Sequence, residues 1–160
     1  MILLNILFFY TSIVVLWITL SVCIYYKPLE FRNTVIGITA SAFALVYDVT
    51  LGDHFGLYYY VNPQVSTTYM VLAALFIYSI IGIIYTLFLP KDYTKVLVYT
   101  TIWIVVMLLF EYVSVKTKTI VFTGWQPVPW SFVSYVVTFG WMYMFYRYMM
   151  KHRDNSFASQ

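Results

Sequence analysis

Long apolar runs separated by short polar segments follow one another along the whole chain. Each run has about the length that a helix needs to cross the hydrocarbon core of a bilayer. The pattern predicts five transmembrane helices, at about residues 2–26, 34–51, 67–89, 96–115 and 131–150. We therefore predict an all-α fold: an integral membrane bundle that forms a single transmembrane domain over residues 1–150, followed by a polar tail at 151–160.

Composition supports this assignment and removes several functional classes. The chain is 62% hydrophobic and only 9% charged, whereas about a quarter of the residues of a soluble domain are charged. The net charge of +3 is small, and the basic residues lie between the apolar runs. They therefore form no patch that suits a nucleic acid. The single cysteine, Cys23, excludes an internal disulfide. No phosphate-binding loop, zinc-protease motif or nucleophile elbow occurs, and no cofactor is predicted.

The basic residues predict the orientation of the bundle. Five helices divide the connections and the polar tail between two sides of the membrane. One side then receives seven Lys and Arg residues: Lys27, Arg32, Lys91, Lys95, Arg147, Lys151 and Arg153. The other side receives Lys116 and Lys118. The positive-inside rule therefore predicts an outside N-terminus and a cytoplasmic C-terminus.

Small residues recur along one face of the second predicted helix. Gly37, Ser41 and Ala44 are spaced by four and three residues, which places them on one helical face. Small side chains let a second helix approach closely, which is the usual packing device inside lipid. We predict a packing seam here, either within the bundle or between protomers of a homo-oligomer.

Two carboxylates lie inside predicted helices, where an unpaired charge is costly. Asp48 is about three residues, and Glu111 about four, from the outer end of its helix. At about 1.5 Å per residue both lie at a similar depth. Asp53 and His54 follow in the next loop. These four side chains are predicted to converge in an outward-facing cavity with an aromatic rim.

Several neighbouring side chains could support that site. Tyr112, Trp125 and Ser131 are the nearest hydrogen-bonding groups by sequence. The four ionisable groups are of the types that bind Zn²⁺ or Mn²⁺, but no metal motif is present and no metal is predicted. A second interpretation stays open, in which Asp48 and Glu111 only form hydrogen bonds between helices and fix the bundle.

The stretch from about residue 42 to residue 151 carries a family resemblance. Its features are a Tyr-rich connection and five short motifs: Tyr47-Asp48, Pro90-Lys91, Phe110-Glu111-Tyr112, Gly124-Trp125 and Trp130-Ser131. With these, residues 42–151 resemble a family of small multi-pass membrane proteins from endospore-forming Gram-positive bacteria. The resemblance implies a bacterial plasma-membrane location and no established activity.

Three functional classes remain open. The first is a small ion- or proton-binding permeation module that uses the buried carboxylates and, having only five helices, forms an oligomer. The second is a non-catalytic partner or scaffold subunit that docks another membrane protein through its small-residue seams. The third is a membrane enzyme acting on lipid with Asp48, Asp53, His54 and Glu111. An enzyme is the least favoured of the three, because the sequence specifies neither a nucleophile nor a metal triad.

Overall fold

Five long helices make up most of the computed structural model, which describes the backbone of residues 2–157 and the side chains of residues 3–151. We label the helices in chain order: α1, Ile2–Tyr26; α2, Phe31–Asp48 with its π-helical continuation Val49–His54; α3, comprising Pro63–Val65, Ser66–Ala73, the π-helical Ala74–Tyr78 and Ser79–Leu87; α4, Tyr93–Lys116; and α5, Pro127–Phe157. The predicted polar tail is helical through Phe157, and residues 158–160 lie outside the described part of the chain.

Four helices, α1 to α4, are long and apolar enough to cross a membrane. Within the described residues, α5 is not among them. Its sequence mixes Tyr, Trp, Ser and Thr with the aliphatic residues, which lowers its apolar character. The crossing by this fifth helix therefore stays a prediction.

Helices α2 and α4 begin earlier than the apolar pattern predicts, because polar residues cap their first turns. α2 begins at Phe31, and the Asn33 side chain accepts a hydrogen bond from the backbone N–H of Glu30 at 3.2 Å. α4 begins at Tyr93, and the Asp92 side chain accepts one from the N–H of Thr94 at 3.1 Å. Such caps satisfy backbone donors that have no partner inside the helix.

Helix α3 is the centre of the bundle. In its most apolar stretch 61% of the residues are buried, against 11% in α1 and 17% in α4. Its side chains of Met70, Ala74 and Tyr85 are completely enclosed. The outer helices therefore present most of their apolar surface to the surroundings, as lipid-facing helices do.

The closest helix contact joins α2 and α3 at two glycines. A methyl group added at Gly37 would lie 2.5 Å from Cγ1 of Ile83 and 3.0 Å from the carbonyl oxygen of Ser79. One added at Gly82 would lie 3.6 Å from Cα of Gly37. Of the predicted seam, Gly37 therefore packs inside the bundle. Ser41 is also buried, and Ala44 lines the cavity described below.

Two short strands close one end of the bundle, where only loops were predicted. β1, Tyr58–Tyr60, follows α2, and β2, Ile120–Phe122, follows α4. They pair antiparallel with Tyr59 opposite Val121. The first turn of α1 lies at the same end, because Asn5 donates from its side chain to the carbonyl of Val61 at 3.3 Å.

The opposite end collects the other connections. The Lys27 ammonium donates to the carbonyl of Leu87, at the end of α3. The Arg32 guanidinium carbon lies 5.1 Å from the ring centre of Tyr146, near the end of α5. Helices that follow one another in the chain thus run in opposite directions, as the charge count assumed. Which end lies outside stays a prediction, checked by protease access from each side of the membrane to the exposed residues 53–56.

Candidate functional site

A cavity of about 470 Å³ lies beneath the β1–β2 sheet and is lined by α2, α3, α4 and α5. Asp48 and Glu111 both line it. Its volume falls within the roughly 300–1,000 Å³ of small-molecule sites, which are mostly apolar with a few convergent polar groups. Here the polar groups come from elements far apart in the sequence.

Asp48 ends the regular part of α2 and is 5% exposed. Its Oδ1 accepts a hydrogen bond from the Tyr58 hydroxyl at 2.7 Å, and its Oδ2 accepts one from the Tyr60 hydroxyl at 3.3 Å. Because Tyr60 has one proton and directs it to Asp48, the Tyr78 hydroxyl at 2.9 Å must be the donor in its contact with Tyr60. A chain of donors therefore runs from Tyr78 through Tyr60 to the carboxylate.

Gly52, in the π-helical end of α2, leaves the space that Tyr58 occupies. A methyl group at this buried glycine would lie 3.0 Å from Cε2 of Tyr58 and 2.3 Å from Cε of Met70. The chain then turns back, and the N–H of Leu57 donates to the carbonyl of Leu51 at 3.0 Å. The turn places β1 over the end of α2.

The Leu57 carbonyl also positions the loop after β2. It accepts from the backbone N–H groups of Thr123 at 2.9 Å and of Gly124 and Trp125 at 3.0 Å. A methyl group at Gly124 would lie 3.2 Å from Cδ2 of Leu57, so the loop passes close to the end of that side chain. The contacts hold the Trp125 ring against the cavity.

Glu111 on α4 is partly buried and has a similar arrangement. Its Oε1 accepts from the Ser131 hydroxyl and its Oε2 from the Tyr135 hydroxyl, both at 2.6 Å. The Trp125 indole N–H in turn donates to the Ser131 oxygen at 3.0 Å. A second chain of donors therefore runs from Trp125 through Ser131 to a carboxylate.

Both carboxylates are surrounded by hydroxyl donors. Each has two hydroxyl donors, one for each oxygen, and hydrogen bonds to the charged form favour it. Burial, with the negative charge of Asp48 nearby, raises the pKa of Tyr58 and Tyr60 well above the usual value of about 10. These two phenols therefore keep their protons and act as donors throughout the physiological range.

Positive side chains are absent from the described lining of this cavity. Among the described residues that line the cavity, none is Lys, Arg or His. The remaining walls are mostly aromatic and aliphatic, and include Phe43, Trp130 and Trp141. Two carboxylates in one apolar enclosure would repel each other and lack compensation, so the site is suited to a positively charged occupant.

Comparison of the chain with protein-family models, with curated proteins and with solved structures finds no match. The function must therefore be argued from the geometry of the cavity. The resemblance to the endospore-former membrane proteins stays a prediction.

The structure places the predicted site residues in two groups. Asp48, Glu111, Trp125 and Ser131 all line the cavity. Asp53 and His54 do not line it, and both are exposed at the end of α2. The helix continues through His54 instead of ending near residue 51, and Tyr58, from the following strand, occupies the position next to Asp48.

Tyr112 also lies away from the site. It is 59% exposed, and the Lys116 ammonium lies 5.4 Å from its ring centre. Consecutive residues on a helix point about 100° apart, so a side chain next to Glu111 faces elsewhere. The sequence missed Tyr135, although Ser131 and Tyr135 are four residues apart on α5 and therefore share a face.

Proposed function

We propose that this chain is a bacterial plasma-membrane protein that binds a cation or a proton between Asp48 and Glu111. The observation that carries the proposal is that both carboxylates line one cavity in which no lining residue is Lys, Arg or His. A bound positive charge would provide the compensation that the protein itself does not.

The hydrogen bonds around the two carboxylates support the proposal. Each carboxylate is held by two hydroxyls, and those hydroxyls are held by further groups such as Tyr78 and Trp125. Preorganised carboxylates of this kind need little rearrangement when an ion arrives. A purely structural carboxylate would need only its donors, without the adjoining space of about 470 Å³.

The other two functional classes receive less support. The docking hypothesis depended on exposed small-residue seams, yet Gly37 contacts α3 inside the bundle. The lipid-enzyme hypothesis required four ionisable residues together, but Asp53 and His54 are exposed and outside the cavity. Permeation and oligomerisation stay predictions, because the geometry of the cavity supports only binding.

Varying the pH tests the proposal directly, because a carboxylate that binds a cation also binds H⁺. We expect the melting temperature of the purified protein in detergent to change with pH, because a proton would compensate the negative charge that the cavity lining leaves unbalanced. The Glu111→Gln and Asp48→Asn variants should lose most of that dependence, because the amides keep the size and hydrogen bonds without the charge.

The matched control is Asp53→Asn, which removes an exposed carboxylate at the same end of the bundle. It should leave the pH profile as in the wild type. If the two cavity variants and the wild type have the same profile, Asp48 and Glu111 do not form a titrating site and the proposal is wrong.

A further inference from the structure

The cavity opens on one flank of the bundle. Six of its lining residues are exposed, and all six belong to α2 or α5: Phe43, Tyr47, Trp130, Val133, Val137 and Thr138. At the end of the bundle, by contrast, Tyr58 and Tyr60 of β1 are buried and cover the site. The route into the cavity therefore runs between two helices and away from the covered end.

That flank is positioned to face lipid. α2 is one of the four helices long and apolar enough to cross a membrane. Phe43 precedes Asp48 by five residues, which on a helix is about 7.5 Å, so the opening extends from the carboxylate toward the hydrocarbon. Its exposed residues, Val133 and Val137 among them, are mainly apolar.

Side chains alone bridge this opening. The Tyr47 hydroxyl lies 2.6 Å from the Ser134 oxygen, and the ring centres of Phe43 and Trp141 are 4.8 Å apart. Ser134 directs its own proton to the Trp130 carbonyl at 2.8 Å, so Tyr47 is the donor. The contacts that would have to break for this opening to widen are therefore one hydrogen bond and one edge-to-face ring contact, both between side chains.

The walls define the charge and the shape of the occupant. Aromatic faces attract cations, most strongly when the cation is poorly hydrated, and the two carboxylates add negative charge. A metal ion such as Ca²⁺ requires six to eight oxygen ligands, whereas all four carboxylate oxygens of this cavity already accept hydrogen bonds from hydroxyl groups. A cation that carries its own apolar surface satisfies both the walls and the carboxylates.

We propose that the cavity binds an organic monocation with an apolar body, of the quaternary ammonium or phosphonium class, which enters from the bilayer between α2 and α5. This inference rests on the proposed cation site and specifies its ligand. The positive centre would lie toward Asp48 and Glu111, and the apolar body would lie among the rings of Phe43, Trp130 and Trp141.

Tetraphenylphosphonium is the probe for the ligand class, measured by equilibrium dialysis with the full chain in lipid nanodiscs. We expect saturable binding to the wild type that Asp48→Asn and Glu111→Gln each weaken by more than about tenfold. Triphenylphosphine oxide, which is neutral, and tetramethylammonium, which lacks the apolar body, should bind far more weakly. Equal binding of tetraphenylphosphonium to the wild type and to both variants, or none to the wild type, would overturn the inference.

A cavity-filling variant separates this inference from the proposed function. Ala44 lines the cavity without contributing charge, so Ala44→Leu should abolish phosphonium binding while the pH-dependent melting of the protein persists. Ala42→Leu, at an exposed position of α2 outside the lining, is the control and should bind normally. A wild type that titrates with protons but does not bind the phosphonium would refute the ligand class and leave the cation site standing.

The entry route has its own test. Tyr47→Phe removes the hydroxyl that bridges to Ser134 and leaves the ring in place. We expect the association rate of tetraphenylphosphonium to rise at least about threefold in this variant, since one net hydrogen bond is worth about 1 kcal/mol. An unchanged association rate would contradict entry between α2 and α5.

Discussion

Gly37→Ala is expected to destabilise the protein, and Gly140→Ala to leave it as stable or make it more so. A methyl group at Gly37 would lie 2.5 Å from Ile83 and 3.0 Å from a backbone oxygen of α3, so the central helix contact must open. Overpacking of this kind costs about 1–3 kcal/mol. At Gly140 the methyl group would have no neighbour within 4 Å, and alanine favours the helix by about 0.5–1 kcal/mol.

Both variants replace a helical glycine with alanine, so the difference in helix propensity between the two residues cancels in the comparison. The measurement is the free energy of unfolding in detergent, by circular dichroism against a denaturant. The packing of α2 on α3 predicts opposite signs for the two changes. Equal effects would mean that α2 and α3 do not approach at Gly37 and Gly82.

The second large effect concerns the hydrogen bonds around Asp48. Asp48→Leu and Asp48→Asn both remove the charge, but only asparagine keeps an acceptor for the Tyr58 hydroxyl. Tyr58 is 6% exposed, and its hydroxyl would be left without that acceptor in the leucine variant. A buried unpaired group costs about 1–3 kcal/mol. The leucine variant is therefore expected to be less stable than the asparagine variant by roughly that amount.

The loss of stability in Asp48→Leu is limited at Tyr60, because the Tyr60 hydroxyl keeps its contact with the Tyr78 hydroxyl in that variant. Asp53 again gives the matched comparison, since Asp53→Leu and Asp53→Asn alter an exposed position and should differ by less than about 0.5 kcal/mol. If Asp48→Leu were as stable as Asp48→Asn, the Tyr58 hydroxyl would not depend on the carboxylate.

The helices and the two central carboxylates could be predicted from the sequence, because both depend on local chemistry. An apolar run of about twenty residues predicts a membrane helix by its length. A carboxylate within such a run needs compensation, which is why Asp48 and Glu111 were placed inside the bundle. Trp125 and Ser131 were also predicted as supporting groups, because Trp125 lies in the loop that follows the helix of Glu111 and Ser131 lies at the predicted start of the next helix.

The remainder of the site depends on contacts that no local pattern shows. β1 and β2 are three residues each and pair across some sixty residues of sequence. A Tyr-rich loop is by itself typical of the membrane interface, whereas Tyr58 and Tyr60 turn inward as donors to Asp48. The π-helical extension of α2 leaves Asp53 and His54 exposed at its end, and helical extensions of this kind have no simple sequence signal.

Infrared spectroscopy of the carboxyl groups tests most directly whether Asp48 and Glu111 form one site. A shared site predicts that the protonated carboxyl band of the wild type titrates as a coupled pair. Glu111→Gln should then move the midpoint at which Asp48 titrates, and Asp48→Asn should move that of Glu111. If each variant only removes its own band, and the other carboxyl titrates at an unchanged midpoint, the two residues act independently and the shared site is contradicted.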